Sequence, residues 1–325
     1  MYNLVVSFAV PDEERGMIEK TLSGHCSVAF LYDVPQPRRA EVISGADVLL
    51  SWSPSREYGE GDFSSMGNVK LLQLVSAGAD HLPFDRLRPD MVVASNVGAY
   101  SLPMAEHVMA MALALLKGLV AGHRKMSGGE FDQLTKSRML DGAVCGILGY
   151  GGIGRAVACY LRAFHAKIFA INTSGRTDDE VAFVGTLKDL GHVLSHSDVV
   201  VIALPLTKHT RGIIGREQLG SMKRDAVLIN VARGEIVDEG ALYDHLKANP
   251  EFMAGIDAWW VEPFRHGEFR IDHPFFGLQN LLGSPHNSAI VQNVLAMGVR
   301  AALENVMRFV RKEKIKGMVD FRDYV

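Results

Sequence analysis

Short apolar runs rich in β-branched residues alternate along the chain with stretches in which apolar positions recur at helical spacing. One series precedes residue 97, and a second series follows residue 142. The runs are residues 4–8, 46–50, 70–75 and 91–94, and then 143–148, 167–171, 199–204, 226–230, 252–256 and 280–282. Strands that alternate with helices form parallel sheets with crossover helices on both faces. The pattern therefore predicts an α/β protein with two doubly wound parallel-sheet domains.

A glycine-rich segment follows the first strand of the second series and precedes a helical stretch at 155–164. It reads Gly149-Tyr150-Gly151-Gly152-Ile153-Gly154. In this setting the first glycine allows a tight turn, the second lets the backbone approach a phosphate, and the last lets the helix pack closely on the strand. The helix N-terminus then presents free N–H groups to an anion. The segment predicts a dinucleotide site in a Rossmann-like domain, and a glycine turn without a ligand is the alternative.

The next predicted strand ends at Asn172, where a dinucleotide site places a polar side chain against the adenosine ribose. An Asp or Glu there would accept hydrogen bonds from both ribose hydroxyls and repel a 2′-phosphate, but Asn172 is neutral. Ser174 and Arg176 can donate hydrogen bonds to a phosphate, Arg176 with charge assistance. The sequence therefore favours NADP over NAD. Acidic residues at 178–180 leave the alternative of a polar surface loop beside an NAD site.

Length and charge limit the classes of function. A chain of 325 residues is long for a single core and suggests two domains. The net charge of −3 gives no attraction to nucleic acid or to an anionic membrane. The basic run at 308–316 contains Glu313 and is typical of a solvated helix end. The apolar helix at 104–116 is too short to span a bilayer, and no signal peptide is apparent at the N-terminus.

Cysteine and histidine usage indicates neither disulfides nor a metal. Cys26, Cys145 and Cys159 cannot all pair and form no C-x-x-C motif, which fits a reducing cytoplasm. His192 and His196 lie four residues apart, as metal ligands on a helix would. No H-E-x-x-H motif or cysteine pair supports them, so we expect solvated helix residues and no metal.

Several further motifs occur in an order and at a spacing that resemble the D-isomer-specific 2-hydroxyacid dehydrogenases. Besides the glycine segment they are Val75-Ser76-Ala77-Gly78-Ala79-Asp80-His81, Ala105-Glu106-His107, Leu204-Pro205-Leu206-Thr207 with Thr210, Asn230-Val231-Ala232-Arg233-Gly234, Asp257 with Glu262-Pro263, and Ser284-Pro285-His286. The resemblance covers nearly the whole chain. It implies a dinucleotide-binding Rossmann domain, placed here at 97–287, inserted into a flavodoxin-like substrate domain formed by 1–96 and 288–325. The final helix, at about 289–311, is expected to return to the substrate domain.

The resemblance also implies further contacts with the cofactor and with a second subunit. The additional cofactor-binding positions are Leu204, Pro205, Thr210, Val231, Ala232, Asp257 and His286. The helix at 102–116 is most simply core, but in this family such a helix pairs with its twin across a two-fold axis. Its apolar character on all sides therefore suggests a homodimer.

Three residues can supply the chemistry of 2-oxo acid reduction, which needs a cation for the carboxylate, an acid for the ketone oxygen and a partner that keeps the acid charged. Arg233, after a strand end, offers a forked cation. His286, also after a strand end, is a suitable proton donor because an imidazole titrates near neutral pH. Glu262, similar in position to the family's acidic partner, would favour the imidazolium. By resemblance, backbone N–H groups around Ala77 and Gly78 complete the carboxylate site.

The favoured function is an NAD(P)-dependent oxidoreductase that transfers a hydride between nicotinamide and C2 of a small 2-oxo or 2-hydroxy acid, such as glyoxylate or hydroxypyruvate. Formate dehydrogenase, a relative, is disfavoured because it carries glutamine where Glu262 stands. A cofactor-sensing binding protein, like the C-terminal binding protein corepressors, is the alternative from another class, although no disordered partner-binding tail is apparent. Trp259 and Trp260 either wall the substrate pocket or pack a turn against the domain face.

Overall fold

The computed structural model describes all 325 residues, which form two compact units. The discontinuous unit comprises Met1–Tyr100 and Val291–Val325, and the central unit comprises Ser101–Ile290. The sequence analysis placed the two boundaries between these domains at 96/97 and 287/288. Each unit contains one entirely parallel sheet flanked by helices, so the predicted α/β class with two doubly wound sheets is confirmed.

The sheet of the discontinuous unit has five strands in the order β2-β1-β3-β4-β5. Within its first segment, its elements are β1 (Tyr2–Val6), α1 (Asp12–Leu22), β2 (Cys26–Phe30), α2 (Gln36–Ser44), β3 (Val48–Ser51), α3 (Pro54–Glu57), α4 (Glu60–Ser64), β4 (Leu71–Leu74) and β5 (Val92–Ala94). All residues of β3 and β4 are buried, as expected for central strands covered on both faces.

The sheet of the central unit has seven strands in the order β12-β11-β10-β9-β6-β7-β8. Its elements are α5 (Ser101–Leu116), α6 (Leu119–Ser127), β6 (Val144–Leu148), α7 (Gly152–Ala163), β7 (Lys167–Ile171), β8 (Phe183–Gly185), α8 (Leu190–His196), β9 (Val199–Ile202), α9 (Arg216–Ser221), β10 (Val227–Asn230), α10 (Glu239–Ala248), β11 (Met253–Ile256), α11 (Pro263–His266) and β12 (Leu281–Gly283). The chain order reverses between β6 and β9. Ligands of open α/β sheets bind at such a switch point, beyond the carboxyl ends of the strands.

The last helix, α12 (Val294–Val310), belongs to the discontinuous unit and packs on α1 and β4. The expected start near residue 289 is wrong. Asn293 has a φ of 60°, and a residue in this left-handed conformation cannot continue a right-handed helix. The helix therefore begins only at Val294, although the apolar pattern begins earlier.

Two strands, β2 and β8, were not predicted from the sequence. Both lie at an outer edge of their sheet, where one side of the strand has no neighbour. Three of the five residues of β2 are at least partly exposed, and β8 has only three residues. Short apolar runs do overlap them, at 28–32 and 181–184, and the prediction overlooked these runs.

The apolar helix α5 packs inside its own unit, against α7 and against β10 and β11. Nine of its sixteen residues are buried, so internal packing accounts for most of its apolar character. No single helix is long and apolar enough to span a membrane. The pair α5 and α6 passes such a test together, by length and composition only, with a bend of 56° between the two helices.

Candidate functional site

The glycine segment forms a tight turn at the carboxyl end of β6, beside the start of the loop after β9. Gly149 has a φ of 99°, and a Cβ there would lie 2.5 Å from the Ala203 carbonyl oxygen. A Cβ at Gly154 would lie 2.3 Å from the Gly149 carbonyl oxygen. Any side chain at these two positions would separate β6 from β9 or α7 from the turn. Glycine is therefore required here by the backbone itself.

The N-terminus of α7 fits a dinucleotide pyrophosphate. The first N–H groups of α7, at Gly152, Ile153 and Gly154, have no intrahelical acceptor, and no side chain caps the helix. A Cβ placed on Gly151 would meet no atom within 4 Å, so the space beside this residue is open. Free donors, an open approach and the positive end of the helix dipole are the features that bind a phosphate group.

Tyr150, within the same segment, turns its side chain into the protein. Its hydroxyl accepts a hydrogen bond from Arg162 at 3.2 Å, and Arg155 lies 5.2 Å above its ring. Burial raises the pKa of the Tyr150 phenol, with Asp179 acting in the same direction. Only the Tyr150 backbone is therefore placed to line the glycine turn.

The loop after β7 is held together by the side chain of Asn172. Its amide nitrogen donates to the Arg176 carbonyl oxygen at 2.8 Å, and its oxygen accepts from the N–H groups of Ser174 and Gly175 at 3.1 and 2.7 Å. The Ser174 hydroxyl also bonds to the Asn172 oxygen. These bonds keep the Asn172 amide inside the loop, whereas the exposed Arg176 side chain makes no hydrogen bond or ion pair with the protein.

One of the acidic residues that follow this loop, Asp179, is partly neutralised. Asp179 accepts a hydrogen bond from Arg155 at 2.5 Å, and the Glu180 carbonyl oxygen accepts two from Arg162. The negative charge that argued for an NAD site is therefore reduced at Asp179, and Arg176 is the exposed cation of this loop.

The other expected cofactor positions lie beyond the neighbouring strands β9 and β10. Leu204 and Pro205 begin the loop after β9, and Thr210 closes it by donating its hydroxyl to the Pro205 carbonyl oxygen at 2.6 Å. Val231 and Ala232 directly follow β10 and are buried. All five positions are thus at the carboxyl edge of the sheet, on the same side as the glycine turn.

Arg233 follows the same strand and is fixed through its backbone. The buried Asn230 side chain donates to the Arg233 carbonyl oxygen at 2.8 Å, and its oxygen accepts the Ala232 N–H at 3.0 Å. Next to it, a Cβ on Gly234 would lie 2.3 Å from the Trp259 carbonyl carbon. This close approach sets the segment that carries Arg233 directly against the loop after β11. The Arg233 side chain is partly exposed, and its Nη1 donates to the Ala232 carbonyl oxygen at 2.7 Å.

His286 and Glu262 form the central pair of the candidate site. Nδ1 of His286 lies 2.7 Å from Oε2 of Glu262, which is buried, and Oε1 of the same carboxylate accepts the Trp259 N–H at 2.6 Å. The Glu262 N–H donates to His266 Nδ1 at 3.0 Å. The bond to the Trp259 N–H therefore holds the Glu262 carboxylate in a fixed orientation toward the imidazole. His286 has a φ of 50°, an unusual conformation for a residue with a side chain.

Asp257, at the end of β11, organises the segment that carries His286. It is fully buried, and its carboxylate accepts hydrogen bonds from the Ser284 hydroxyl and from the N–H groups of Asn287 and Ser288. Its carbonyl oxygen accepts the His286 N–H at 2.9 Å. Burial would raise the pKa of Asp257, but the bonds from Ser284 and Ser288 and two nearby histidines hold it below its ordinary value. Asp257 therefore remains ionised at neutral pH.

Both tryptophans of the loop after β11 are packed. Trp259 is buried, and its indole N–H donates to the Ser284 carbonyl oxygen at 2.8 Å. The Trp260 indole N–H donates to the Val237 carbonyl oxygen at 2.7 Å, and its ring stacks on Phe275. Trp259 thus contacts the segments of Arg233, Glu262 and His286 at once. The sequence offered both readings of this pair, and its bonds are those of a packed turn.

Two predicted substrate-binding residues, Ala77 and Gly78, lie in the discontinuous unit, in the loop after β4. Both are partly exposed. Asn96 holds this loop, because its side chain donates to the Val75 carbonyl oxygen at 2.9 Å and its N–H donates to the Ser76 carbonyl oxygen at 2.9 Å. The loop is therefore anchored at the carboxyl edge of that unit's sheet.

His192 and His196 are exposed on α8, where their rings stack with Phe169. Nowhere in the structure do three or more His, Cys, Asp or Glu side chains come together in a group that could hold a metal ion.

A family model described as "D-isomer specific 2-hydroxyacid dehydrogenase, NAD binding domain" matches residues 109–288. The hydroxypyruvate reductase of Thermotoga maritima is 30% identical over 253 residues, which cover 77% of this chain and 80% of that protein. D-3-phosphoglycerate dehydrogenase of Methanocaldococcus jannaschii is 28% identical over 86% of this chain, but this chain matches only 53% of that protein's length.

Solved structures agree with these relatives. A candidate formate dehydrogenase from Pyrobaculum aerophilum has a TM-score of 0.84 at 26% identity, with 99% of this chain and 100% of that chain covered. A D-isomer specific 2-hydroxyacid dehydrogenase from Xanthobacter autotrophicus, solved with NADPH and MES, has a TM-score of 0.80 at 27% identity, with 99% of each chain covered. This protein is an oxidoreductase that belongs to the D-isomer-specific 2-hydroxyacid dehydrogenase family.

Proposed function

We propose that the protein reduces small 2-oxo acids to 2-hydroxy acids with a nicotinamide dinucleotide, and that glyoxylate and hydroxypyruvate represent its substrate class. The observation that carries the proposal is the hydrogen bond of 2.7 Å between His286 Nδ1 and Glu262 Oε2. A carboxylate in this position stabilises the protonated imidazole, which can then act as the acid. The name of the Thermotoga maritima relative supports hydroxypyruvate as a substrate. We assign the dinucleotide to the central unit.

The chain's own groups hold the substrate and supply the proton. Because Glu262 occupies Nδ1, His286 donates its proton from Nε2 to the ketone oxygen. Arg233 binds the substrate carboxylate through its planar guanidinium. The glycine turn at 149–154 and the N-terminus of α7 would hold the dinucleotide, and the hydride it would supply to C2, with the proton from His286, would convert the ketone to a hydroxyl group.

A substrate series tests this proposal. The absorbance of NADPH and NADH would be followed with glyoxylate, hydroxypyruvate, pyruvate and bulkier 2-oxo acids. We expect the highest kcat/KM with glyoxylate or hydroxypyruvate, at least about tenfold above the bulky acids. Oxidation of formate without turnover of any 2-oxo acid would assign a formate dehydrogenase instead. Cofactor binding without turnover of either class would assign a cofactor-sensing binding protein.

Replacing Glu262 with Gln should move the upper pH limit of 2-oxo acid reduction to lower pH. Glutamine keeps an acceptor for the Trp259 N–H but removes the negative charge that stabilises the protonated imidazole of His286. The measurement is kcat/KM against pH, and we expect a displacement of about one to two pH units. Glu268→Gln, at an exposed position in the following loop, is the matched control. An unchanged pH profile for Glu262→Gln would show that this carboxylate has no part in proton transfer.

We further propose a preference for NADPH over NADH, supported by the exposed Arg176 and by the pairing of Asp179 with Arg155. Arg176→Ala should raise the KM for NADPH by about tenfold and leave the KM for NADH nearly unchanged, because only NADPH has a 2′-phosphate for the guanidinium to bind. Arg224→Ala, at an exposed ion pair with Glu251, is the control. If both KM values stay unchanged in Arg176→Ala, the 2′-phosphate site is not in this loop. Asn172→Asp is a less direct test, because it also removes the bond to the Arg176 carbonyl oxygen.

We also propose that the protein is a homodimer and that α6 and the segment after it face the second copy. Several large apolar side chains are exposed there, among them Phe131 at 73% and Leu134 at 89%. Exposed apolar side chains grouped in this way are typical of an interface. Light scattering should give twice the chain mass of 35.6 kDa. Leu134→Glu combined with Phe131→Glu should give a monomer. Tyr32→Glu, at an exposed position in the other unit, is the control and should remain a dimer. If the wild-type protein is a monomer, the proposal is wrong.

The cysteines support a reducing, cytoplasmic setting for the proposed enzyme. Cys26, Cys145 and Cys159 are all unpaired, and burial raises the pKa of the Cys145 thiol to about 12, which keeps it unreactive.

A further inference from the structure

A second histidine of the central unit, His107, bonds to the segment that carries His286. It lies on α5, and its side chain is 24% exposed. Its Nε2 lies 2.9 Å from the Ser284 hydroxyl and 3.7 Å from Oδ1 of Asp257. Neither His107 nor this contact has a part in the proton transfer proposed above.

The direction of these hydrogen bonds follows from the groups involved. Asp257 is ionised and can only accept, so the single proton of the Ser284 hydroxyl goes to Asp257 Oδ1 at 2.6 Å. The Ser284 oxygen is then the acceptor toward α5, and His107 Nε2 is the donor. The result is a directed chain from His107 through Ser284 to Asp257. Successive bonds in such a chain polarise and strengthen one another.

Asp257 in turn fixes the backbone of His286. Its carboxylate binds the N–H groups of Asn287 and Ser288, and its carbonyl oxygen binds the His286 N–H. His286 has a φ of 50°, so its backbone keeps this conformation only while the surrounding bonds hold it. Asp257 therefore helps to set where the imidazole of His286 lies relative to Glu262.

We infer that His107 is a positioning residue for His286, which acts through Ser284 and Asp257 to hold the segment that carries the catalytic imidazole. This inference rests on the proposed function, since it assigns His286 the role of acid. The contact joins positions 177 residues apart in the chain, so it also attaches α5 to the carboxyl end of β12.

Two variants of His107 separate positioning from simple packing. His107→Phe keeps the ring but removes the donor, and we expect kcat to fall about tenfold with little change in the KM for cofactor. His107→Gln places an amide N–H near the position of Nε2, and we expect kcat within about twofold of wild type. His192→Phe, at an exposed position on α8, is the control. Equal loss in His107→Phe and His107→Gln, or no loss in His107→Phe, would overturn the inference.

A double-mutant cycle with Ser284 tests the route. Ser284→Ala breaks the chain between His107 and Asp257, so adding His107→Phe to it should cause no further loss of kcat. Full addition of the two losses would show that His107 does not act through Ser284, and would overturn the inference.

A measurement without turnover distinguishes this inference from the proposed function. The ring resonances of His286, assigned by their absence in His286→Asn, should shift or broaden in His107→Phe and stay near their wild-type positions in His107→Gln. If no 2-oxo acid is reduced but the resonances respond in this way, the proposed function fails while the structural link stands. Unchanged resonances in His107→Phe would refute the link itself.

Discussion

Replacing His286 with Ala is expected to lower kcat for 2-oxo acids by a factor of about 10² to 10⁴ and to leave cofactor affinity nearly unchanged. The reason is the position of the ring: Nδ1 is bound to the buried Glu262, which leaves Nε2 as the only proton donor on this side chain. The measurements are kcat from steady-state kinetics and the dissociation constant of the cofactor from fluorescence. His192→Ala, at an exposed helix position, should behave as wild type.

The backbone at position 286 makes a second variant necessary. Alanine is disfavoured at the φ of 50° that His286 adopts, whereas asparagine tolerates it. His286→Asn therefore removes the acid while it keeps the segment in place, and we expect a loss of kcat similar to that of His286→Ala. Near-normal turnover in His286→Asn would exclude His286 as the acid.

Replacing Arg233 with Lys should reduce kcat/KM for 2-oxo acids by about tenfold or more, although the charge is retained. A guanidinium can bind both carboxylate oxygens in one plane, and an ammonium cannot. In the structure Nη1 of Arg233 is also bonded to the Ala232 carbonyl oxygen, a bond that helps to orient the rest of the fork. Arg224→Lys, in an exposed ion pair, is the control. Unchanged kinetics in Arg233→Lys would place the substrate carboxylate elsewhere.

The fold could be predicted because its inner strands are buried on both faces and therefore appear in the sequence as continuous apolar runs. Strands β3, β4, β9 and β10 are of this kind. The short edge strands β2 and β8 were overlooked, although apolar runs at 28–32 and 181–184 overlap them. The start of α12 was missed because the left-handed conformation of Asn293 leaves no mark in the pattern of apolar positions.

The site could be predicted where local sequence determines local structure, and where the resemblance to the family supplied a partner. Glycines at a strand end and polar residues just after strands are visible in the sequence, whereas the pairing of His286 with Glu262 was expected from that resemblance. The contacts of Trp259 with Ser284 and of His107 with Ser284 join distant parts of the chain, and no local pattern indicates them. The role of Asn172 was hidden for another reason, because a neutral side chain at a strand end can bind a ligand or its own loop equally well.

The loop closed by Asn172 has a consequence for how coenzyme preference can change. Because the side chain of Asn172 bonds only to residues 174–176, its hydrogen bonds close this loop locally at the end of β7. The exposed side chains at Thr173 and Arg176 take no part in those bonds. Substitutions at these two positions can therefore alter the charge presented to a ribose without disturbing the sheet. Coenzyme choice would then be free to drift between related enzymes, or to be redesigned, at little cost in stability.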